Sequence, residues 1–355
     1  MSRNPLVSIL IVTYNSKRDI GECLKSVFNQ SYGNFEVIVV DNASSDGTPE
    51  YVQKRFPTVK VVKCRRNLGY SGGNVVGLRY ARGDYIVILN PDTVVDKYWL
   101  KELVEGARRY PDAGMIGSNV LLYGEPRTVN ACGNEFHFTG LVFSRFFGGC
   151  MEKCREEYIL VPSGAAFMIR RCAINDVGFM DEDFFTLFAD IDLALRFQLR
   201  GWKCVVISSS KVYHKFLLKM SPLRFFRLER GRYLALLKNF DKETLVLLLP
   251  SLVLTEILTW GFALLRGRKY VMSKIMTYRW ILRSKQRILE KRRQIQKFRR
   301  VYDRELLRLT TWKINVPQQW LKNGFFKRFV ELLFNAFYFF LFRAIWQLLP
   351  DHSKG

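Results

Sequence analysis

The first hundred residues alternate between short apolar runs and stretches in which apolar positions recur every three or four residues. Val7 to Val12 is an apolar run, broken only by Ser8, closed by Thr13, Tyr14 and Asn15, the pattern of a buried strand stopped by turn residues. Ile20, Leu24 and Val27 follow at helical spacing. Phe35 to Val40 is a second β-branched run, ended by Asp41-Asn42, and a helix is expected from Thr48. Val59 to Val62 and Tyr85 to Leu89 read as the third and fourth strands, Gly72 to Ala81 and Trp99 to Arg108 as the third and fourth helices. Strands that alternate with helices predict an α/β fold, a mostly parallel sheet with helices on both faces.

Beyond this point the pattern loosens. Gly114 to Leu160 is rich in glycine and aromatic residues and reads as loops or a short hairpin. Val161 to Arg170 reads as a strand interrupted at Ser163-Gly164, Ala189 to Arg200 as a helix, and Val205 to Ile207 as a last strand with Tyr213-His214 just past it.

In parallel α/β sheets ligands bind beyond the carboxyl ends of the strands. Those ends carry Thr13-Tyr14-Asn15, Asp41-Asn42, Arg65-Arg66-Asn67 and Asn90-Pro91-Asp92, all polar. Asn and Asp also simply terminate strands, but four such ends converging on one edge point to a site. Asp92 is the metal candidate, because a diphosphate leaving group needs a cation that one or two carboxylates can hold. Gly69-Tyr70-Ser71-Gly72-Gly73 has the look of a phosphate-cradling loop at a helix start.

In the run Phe188 to Arg196, Phe188, Ile191, Leu195 and Leu199 form the expected buried stripe. Asp190 and Asp192 lie about 200° apart around the helix and cannot face one ligand. Asp192 stands four residues before Arg196, suited to an ion pair, which leaves Asp190 as the candidate base. His214, at a strand end, is a candidate metal or diphosphate contact.

The net charge of +24 is unevenly spread. Residues 215–355 carry about +21 of it, so 1–215 reads as the enzyme domain and 216–355 as a basic, helical, membrane-associated region. Thr244 to Leu265 is apolar and long enough to span a bilayer, yet about sixteen cations between Arg266 and Arg308 would then lie opposite the enzyme domain, against the positive-inside rule. Phe325 to Leu349 reads as an interfacial aromatic helix. The expectation is an anchor on the cytoplasmic face of the membrane, peripheral or monotopic or with C-terminal membrane segments, binding anionic lipid and no nucleic acid. The seven cysteines show no zinc spacing and read as free thiols of a reducing compartment, and the N-terminus has no signal-peptide pattern.

The stretches Val7 to Asn15, Val39 to Thr48, Asn67 to Asn74, Leu89 to Thr93, Gly178 to Glu182, Phe188 to Leu193 and Val212 to His214, in that order, resemble inverting family 2 glycosyltransferases of the Rossmann-like GT-A fold. The likeness implies a nucleotide-sugar donor bound by Thr13, Tyr14, Asn15, Asp41, Asn67, Gly72, Asn90 and Asp92. It implies Mg²⁺ or Mn²⁺ held by Asp92 and His214, with Asp190 as the base. Two positions depart from the family pattern: Asn90 stands for the first acid of Asp-x-Asp, and Ala189 for the acidic neighbour of the base. Those departures leave a nucleotide-binding scaffold without transferase activity as the second reading. Asn90-Pro91-Asp92 is similar to rhamnosyltransferase-like enzymes of lipid-linked glycan assembly.

Overall fold

The computed structural model describes residues 4–215, 219–315 and 324–349. The chain divides into two compact units, residues 1–134 with 144–219, and residues 135–143 with 220–355.

The first unit is built on a mixed sheet. Its strands are β1 (Val7–Thr13), β2 (Phe35–Asp41), β3 (Lys60–Lys63), β4 (Tyr85–Leu89), β5 (Thr93–Val95), β6 (Ala113–Leu122), β7 (Glu125–Ala131), β10 (Glu157–Ile159), β11 (Ala166–Arg170) and β12 (Lys203–His214). Between them run α1 (Ile20–Phe28), α2 (Thr48–Arg55), α3 (Gly69–Leu78), α4 (Trp99–Arg109), α5 (Arg171–Val177) and α6 (Ala189–Arg200). The main strand order is β10-β12-β6-β11-β4-β1-β2-β3. β1 to β4 pair in parallel, as does β12 with β6, whereas β11 runs antiparallel to both β4 and β6. Val7 to Ile11 are all buried, and apolar except for Ser8, because β1 lies between β2 and β4, where residues on both faces are covered. α1 buries Ile20, Cys23, Leu24 and Val27, and α4 buries Trp99, Leu100, Leu103 and Val104, each as a helical stripe. Arg170 is buried at the end of β11, and its guanidinium donates to the carbonyls of Ala107, Tyr110 and Ala113, tying the end of α4 to the sheet.

Three expectations change. The stretch after residue 113 is not merely loops, since β6 is a ten-residue central strand with all but its last residue buried. Its glycines fit because Gly114 lies against Phe197 and Trp202, and Gly117 against Pro162. β12 continues to His214 through an irregularity between Ile207 and Lys211 instead of stopping at Ile207. Finally, Cys132 and Cys154 are joined as a disulfide with Cα atoms 5.8 Å apart, so these two are not free thiols. The turns after β7 and near residue 153 bring together residues that sequence spacing alone leaves apart.

The short strands β8 (Asn134–Phe136) and β9 (Val142–Ser144) pair with each other, and residues 135–143 cluster with the second unit. That unit is otherwise helical, with α7 (Pro222–Asn239), α8 (Lys242–Arg266), α9 (Arg268–Arg283), α10 (Lys285–Phe298), α11 (Asp303–Arg308) and α12 (Gly324–Leu348). α8 and the Lys327–Leu348 part of α12 are long and apolar enough to cross a membrane. Pro222 at the first turn of α7 and the Ser221 hydroxyl, which accepts from the Arg224 N–H, start that helix.

Candidate active site

The carboxyl edge of the parallel strands is the site edge. Thr13 and Asp41 are register partners at the ends of β1 and β2. The Thr13 hydroxyl donates to Asp41 Oδ1 at 3.1 Å, and the Ser44 N–H donates to Oδ2 at 2.9 Å. Both side chains are buried, whereas Tyr14 is 53% exposed. Asn15, with φ of 52°, accepts from the Ser45 N–H and so closes the β1 turn onto the β2 turn. Asn67 caps the next turn by accepting from the Gly69 N–H at 2.8 Å. Asn42 braces the same turn, donating to the Gly69 carbonyl at 2.9 Å.

The glycine-rich stretch is not an open loop. Residues 69–73 are already helical, and each glycine is a packing spacer. Gly69 has φ of +73°, and a Cβ there would lie 2.2 Å from the Phe185 carbonyl oxygen. A Cβ at Gly73 would strike Val12, and one at Gly72 would meet the Leu68 side chain. Gly72 is buried within the first turns of α3.

Asp190 sits in the first turn of α6. It meets Gly164, which precedes β11 and lies at the same edge because Ala166 is the register partner of Leu89. A Cβ on Gly164 would come within 2.5 Å of Asp190 Oδ2, so only glycine admits the carboxylate at this position. Dense surroundings desolvate the group and raise its pKa to about 6, although part of its surface stays accessible. Hydrogen bonds from the N–H groups of Asp190, Ile191 and Gly164 oppose that rise. Tyr70 donates its hydroxyl to the Gly164 carbonyl at 2.9 Å. Burial, reinforced by the Asp190 charge, holds the Tyr70 pKa well above 10, so it remains a donor. The segment leading into α6 is strained, with Phe185 at φ of 64° and Phe188 at φ of 74°, conformations rare for bulky residues. Asp192 is turned away, its Oδ2 accepting from Arg196 Nε at 2.9 Å, and Phe188, Ile191, Leu195 and Leu199 are all buried.

A second pair lies along the same edge. β5 pairs with the end of β12, Thr93 opposite His214. His214 Nε2 is 3.3 Å from Asp92 Oδ1, while its Nδ1 is 3.0 Å from Asn130 Oδ1 on β7. An Nδ1–H that donates to Asn130 turns the Nε2 lone pair toward the Asp92 carboxylate, an arrangement that a cation would satisfy. Among the described residues no cluster of three or more His, Cys, Asp or Glu completes an all-protein cage. Two protein ligands with the rest from phosphate and water are the ordinary complement for Mg²⁺. The donor set therefore fits a divalent ion shared with a diphosphate. Asn90 is joined to the Asp190 side through its N–H, which donates to the Ala165 carbonyl at 2.9 Å.

Tyr70, Asn130 and the Gly164 contact were not found from sequence. Gly164 left a trace as a break in an apolar run, whereas Asn130 sits 84 residues from His214 and left none.

Comparison with known proteins bears on the family and the fold. Residues 8–178 match glycosyl transferase family 2. The N-acetylglucosaminyl-diphospho-decaprenol L-rhamnosyltransferase of Mycobacterium tuberculosis is 27% identical over 237 residues, 59% of this chain and 76% of that protein. The match spans 25% of a Sinorhizobium fredii relative that is 31% identical over 228 residues, or 60% of this chain, against 76% of the mycobacterial one. The fold is similar to that of Staphylococcus aureus TarS 1-349 in complex with UDP, with a TM-score of 0.51 and 19% identity over 98% of this chain and 94% of that one. It is also similar to GalNAc-T7 with UDP, GalNAc and Mn²⁺, with a TM-score of 0.56 and 16% identity over 68% of this chain and 49% of that one. Residues 8–178 therefore form a glycosyl transferase family 2 domain on a GT-A-like mixed sheet.

Proposed function

We propose that the protein is an inverting glycosyltransferase that moves a sugar from a nucleoside-diphosphate donor to a lipid-linked, cell-surface glycan acceptor at the cytoplasmic face of the membrane. The observation that carries this reading is the Asp190 carboxylate, fitted against Gly164 and raised to a pKa of about 6, on the same sheet edge as Asp92 and His214.

The nucleoside end lies along the turns after β1 and β2. Tyr14, Asn15 and Asn67 offer surface to it, and Thr13 and Asp41 form its floor. Asn90 and Asp92 meet the diphosphate. Mg²⁺ or Mn²⁺ held by Asp92 and His214 supplies neutralising charge for the leaving group. The acceptor hydroxyl attacks the anomeric carbon from the face opposite the diphosphate. As the new C–O bond forms, its proton passes to Asp190, and the bond to the diphosphate oxygen breaks with its electron pair on that oxygen. The Tyr70–Gly164 hydrogen bond holds the backbone against which Asp190 is seated.

The lipid-linked acceptor is supported by the rhamnosyltransferase relative, whose name places a diphospho-decaprenol on its substrate. The membrane reading is supported by the two long apolar helices and the basic second unit. Asp190→Asn, assayed with a panel of nucleotide sugars and a membrane-extract acceptor, is expected to lose transfer by about 10³-fold while still binding donor. Turnover within tenfold of the parent would remove Asp190 from the role. Asn90, in place of a second acid, favours a nucleotide-binding scaffold as the other reading. Metal-stimulated release of nucleoside diphosphate by the parent protein would dismiss it.

A further inference from the structure

α8 is built inside out. The side chains it turns into its own unit are Thr244, Leu248, Ser251, Thr255, Thr259 and Ala263, a stripe at three- and four-residue spacing in which every residue but Leu248 is small or hydroxylated. The stripe on the other side carries Val246, Leu249, Val253, Ile257 and Leu264, each more than half exposed. A surface helix surrounded by water shows the reverse distribution. α12 repeats the pattern. Its Tyr338 is buried with its hydroxyl 2.8 Å from that of Thr255, while Phe329, Leu332, Phe337 and Phe340 are 53–74% exposed.

The inward side is fixed by charge. Glu256, on the polar flank of α8, accepts from Lys274 of α9 at 2.7 Å, from Arg232 and Tyr233 of α7, and from Tyr278 of α9. Lys274 also pairs with Glu229 at 2.5 Å. Polar groups that are paired inside, with aliphatic groups left outside, mark a helix whose outer neighbour is hydrocarbon.

We propose that the outer face of α8 and α12 lies in the plane of an anionic bilayer, its aliphatic and aromatic side chains in the acyl region, and that α8 does not cross. This deepens the membrane reading above and rests on it for the choice of surface. At 1.5 Å per residue the 25-residue helix is long enough to cross. Its second half, however, runs back along α9. Trp260 Nε1 donates to the Tyr278 hydroxyl at 2.9 Å, and the Phe262 and Tyr270 rings are 5.8 Å apart. α9 also carries the exposed cations Arg268, Lys269, Arg279 and Arg283. A crossing α8 would draw that helix into hydrocarbon. An in-plane α8 leaves these cations, and those of α10, at the level of the headgroups, where acidic lipid complements them.

The test is flotation of the full chain with vesicles of phosphatidylcholine containing phosphatidylglycerol, comparing the parent with Val246→Glu, Val253→Glu, Ile257→Glu and Leu264→Glu. The four positions share one stripe, so an in-plane helix holds them at similar depth. Each is expected to lower the bound fraction by about tenfold, whereas alanine at the same positions gives a smaller loss of the same even pattern. Losses confined to Val253 and Ile257, with Val246 and Leu264 tolerant, describe a crossing helix and overturn the proposal. A parent that fails to float but self-associates, with the four variants monomeric, assigns the face to a second copy and also overturns it. Release of nucleoside diphosphate without vesicles, measured on the same proteins, is expected to stay within twofold of the parent. A failure of the transferase reading would therefore appear in the parent's own turnover, and a failure of this one only in the flotation.

Discussion

Gly164→Ala adds one methyl group beside the candidate base and is the sharpest probe of the site. The new Cβ would lie 2.5 Å from Asp190 Oδ2 and 2.9 Å from its Cγ. Ordinary contact begins near 3.4 Å, so the carboxylate must retreat by about 0.9 Å. Gly164 is not among the residues of positive φ, so alanine adopts its backbone without strain and keeps the N–H that faces Asp190. Displacing a reacting group by about 1 Å costs on the order of 10²-fold in rate, about 2.7 kcal/mol of transition-state stabilisation. The expected result is a kcat lower by about that factor, with donor KM within about threefold and a thermal midpoint close to the parent's. The assay is release of nucleoside diphosphate under donor saturation, paired with a thermal melt. A kcat within threefold of the parent, in a folded variant, would refute the claim that proton transfer depends on where Asp190 sits.

Three further outcomes are expected. The acid limb of kcat/KM should titrate near pH 6, falling about tenfold per unit below it, because Asp190 must be ionised to act and its surroundings raise it from 3.8 to about 6. The same shift means that ionising Asp190 costs the fold stability, fully avoided below pH ~4 and incurred as pH rises through 6, so a limb absent from the parent's profile would contradict the assignment. Asn130→Ala, which removes the acceptor that orients His214 Nδ1, should weaken the apparent metal affinity by about 10–100-fold in a titration of turnover, and an unchanged midpoint would dismiss Asn130 as a positioning residue. Glu256→Ala removes a partner from Lys274 and Arg232, both fully or almost fully buried, and should cost about 3 kcal/mol in denaturant unfolding. Glu256→Gln, which keeps the volume and one acceptor, should cost less.

In the sheet's parallel half, β1 and β4 were legible because they are buried on both faces and read as mostly apolar runs bounded by polar turns. α6 was legible because one stripe of it is apolar at helical spacing and because Asp192 has its ion-pair partner four residues on. β6 was not, because its small residues answer to Phe197, Trp202 and Pro162, side chains that arrive from 45 or more residues away. The same holds for the glycines of α3, whose helical start is forced by contact with Phe185 and Val12 and not by local propensity. Of the candidate site, the carboxylates showed themselves as polar interruptions at strand and helix ends. Their partners did not, since Asn130, Tyr70 and Gly164 become significant only when the sheet brings their strands and helices to one edge. In the second unit, composition revealed a basic and apolar character, but which face of α8 turns inward depended on Glu256 finding Arg232 and Lys274.

Residues 135–143 carry a consequence for the order in which the chain is made. The segment belongs to the second unit, where the Phe136 ring is 6.4 Å from Phe240, Phe138 is 5.7 Å from Tyr338, and His137 Nε2 is 3.1 Å from the Trp312 carbonyl oxygen. On the ribosome it emerges about a hundred residues before the first of these partners and about two hundred before the last. Until then Phe136 and Phe138 are apolar residues without their neighbours. The family 2 domain cannot be freed by a single cut near residue 215, because that cut would leave this nine-residue segment behind without its aromatic companions. A shortened version of the enzyme would have to replace residues 135–143 as well, and synthesis from a truncated message would expose Phe136 and Phe138.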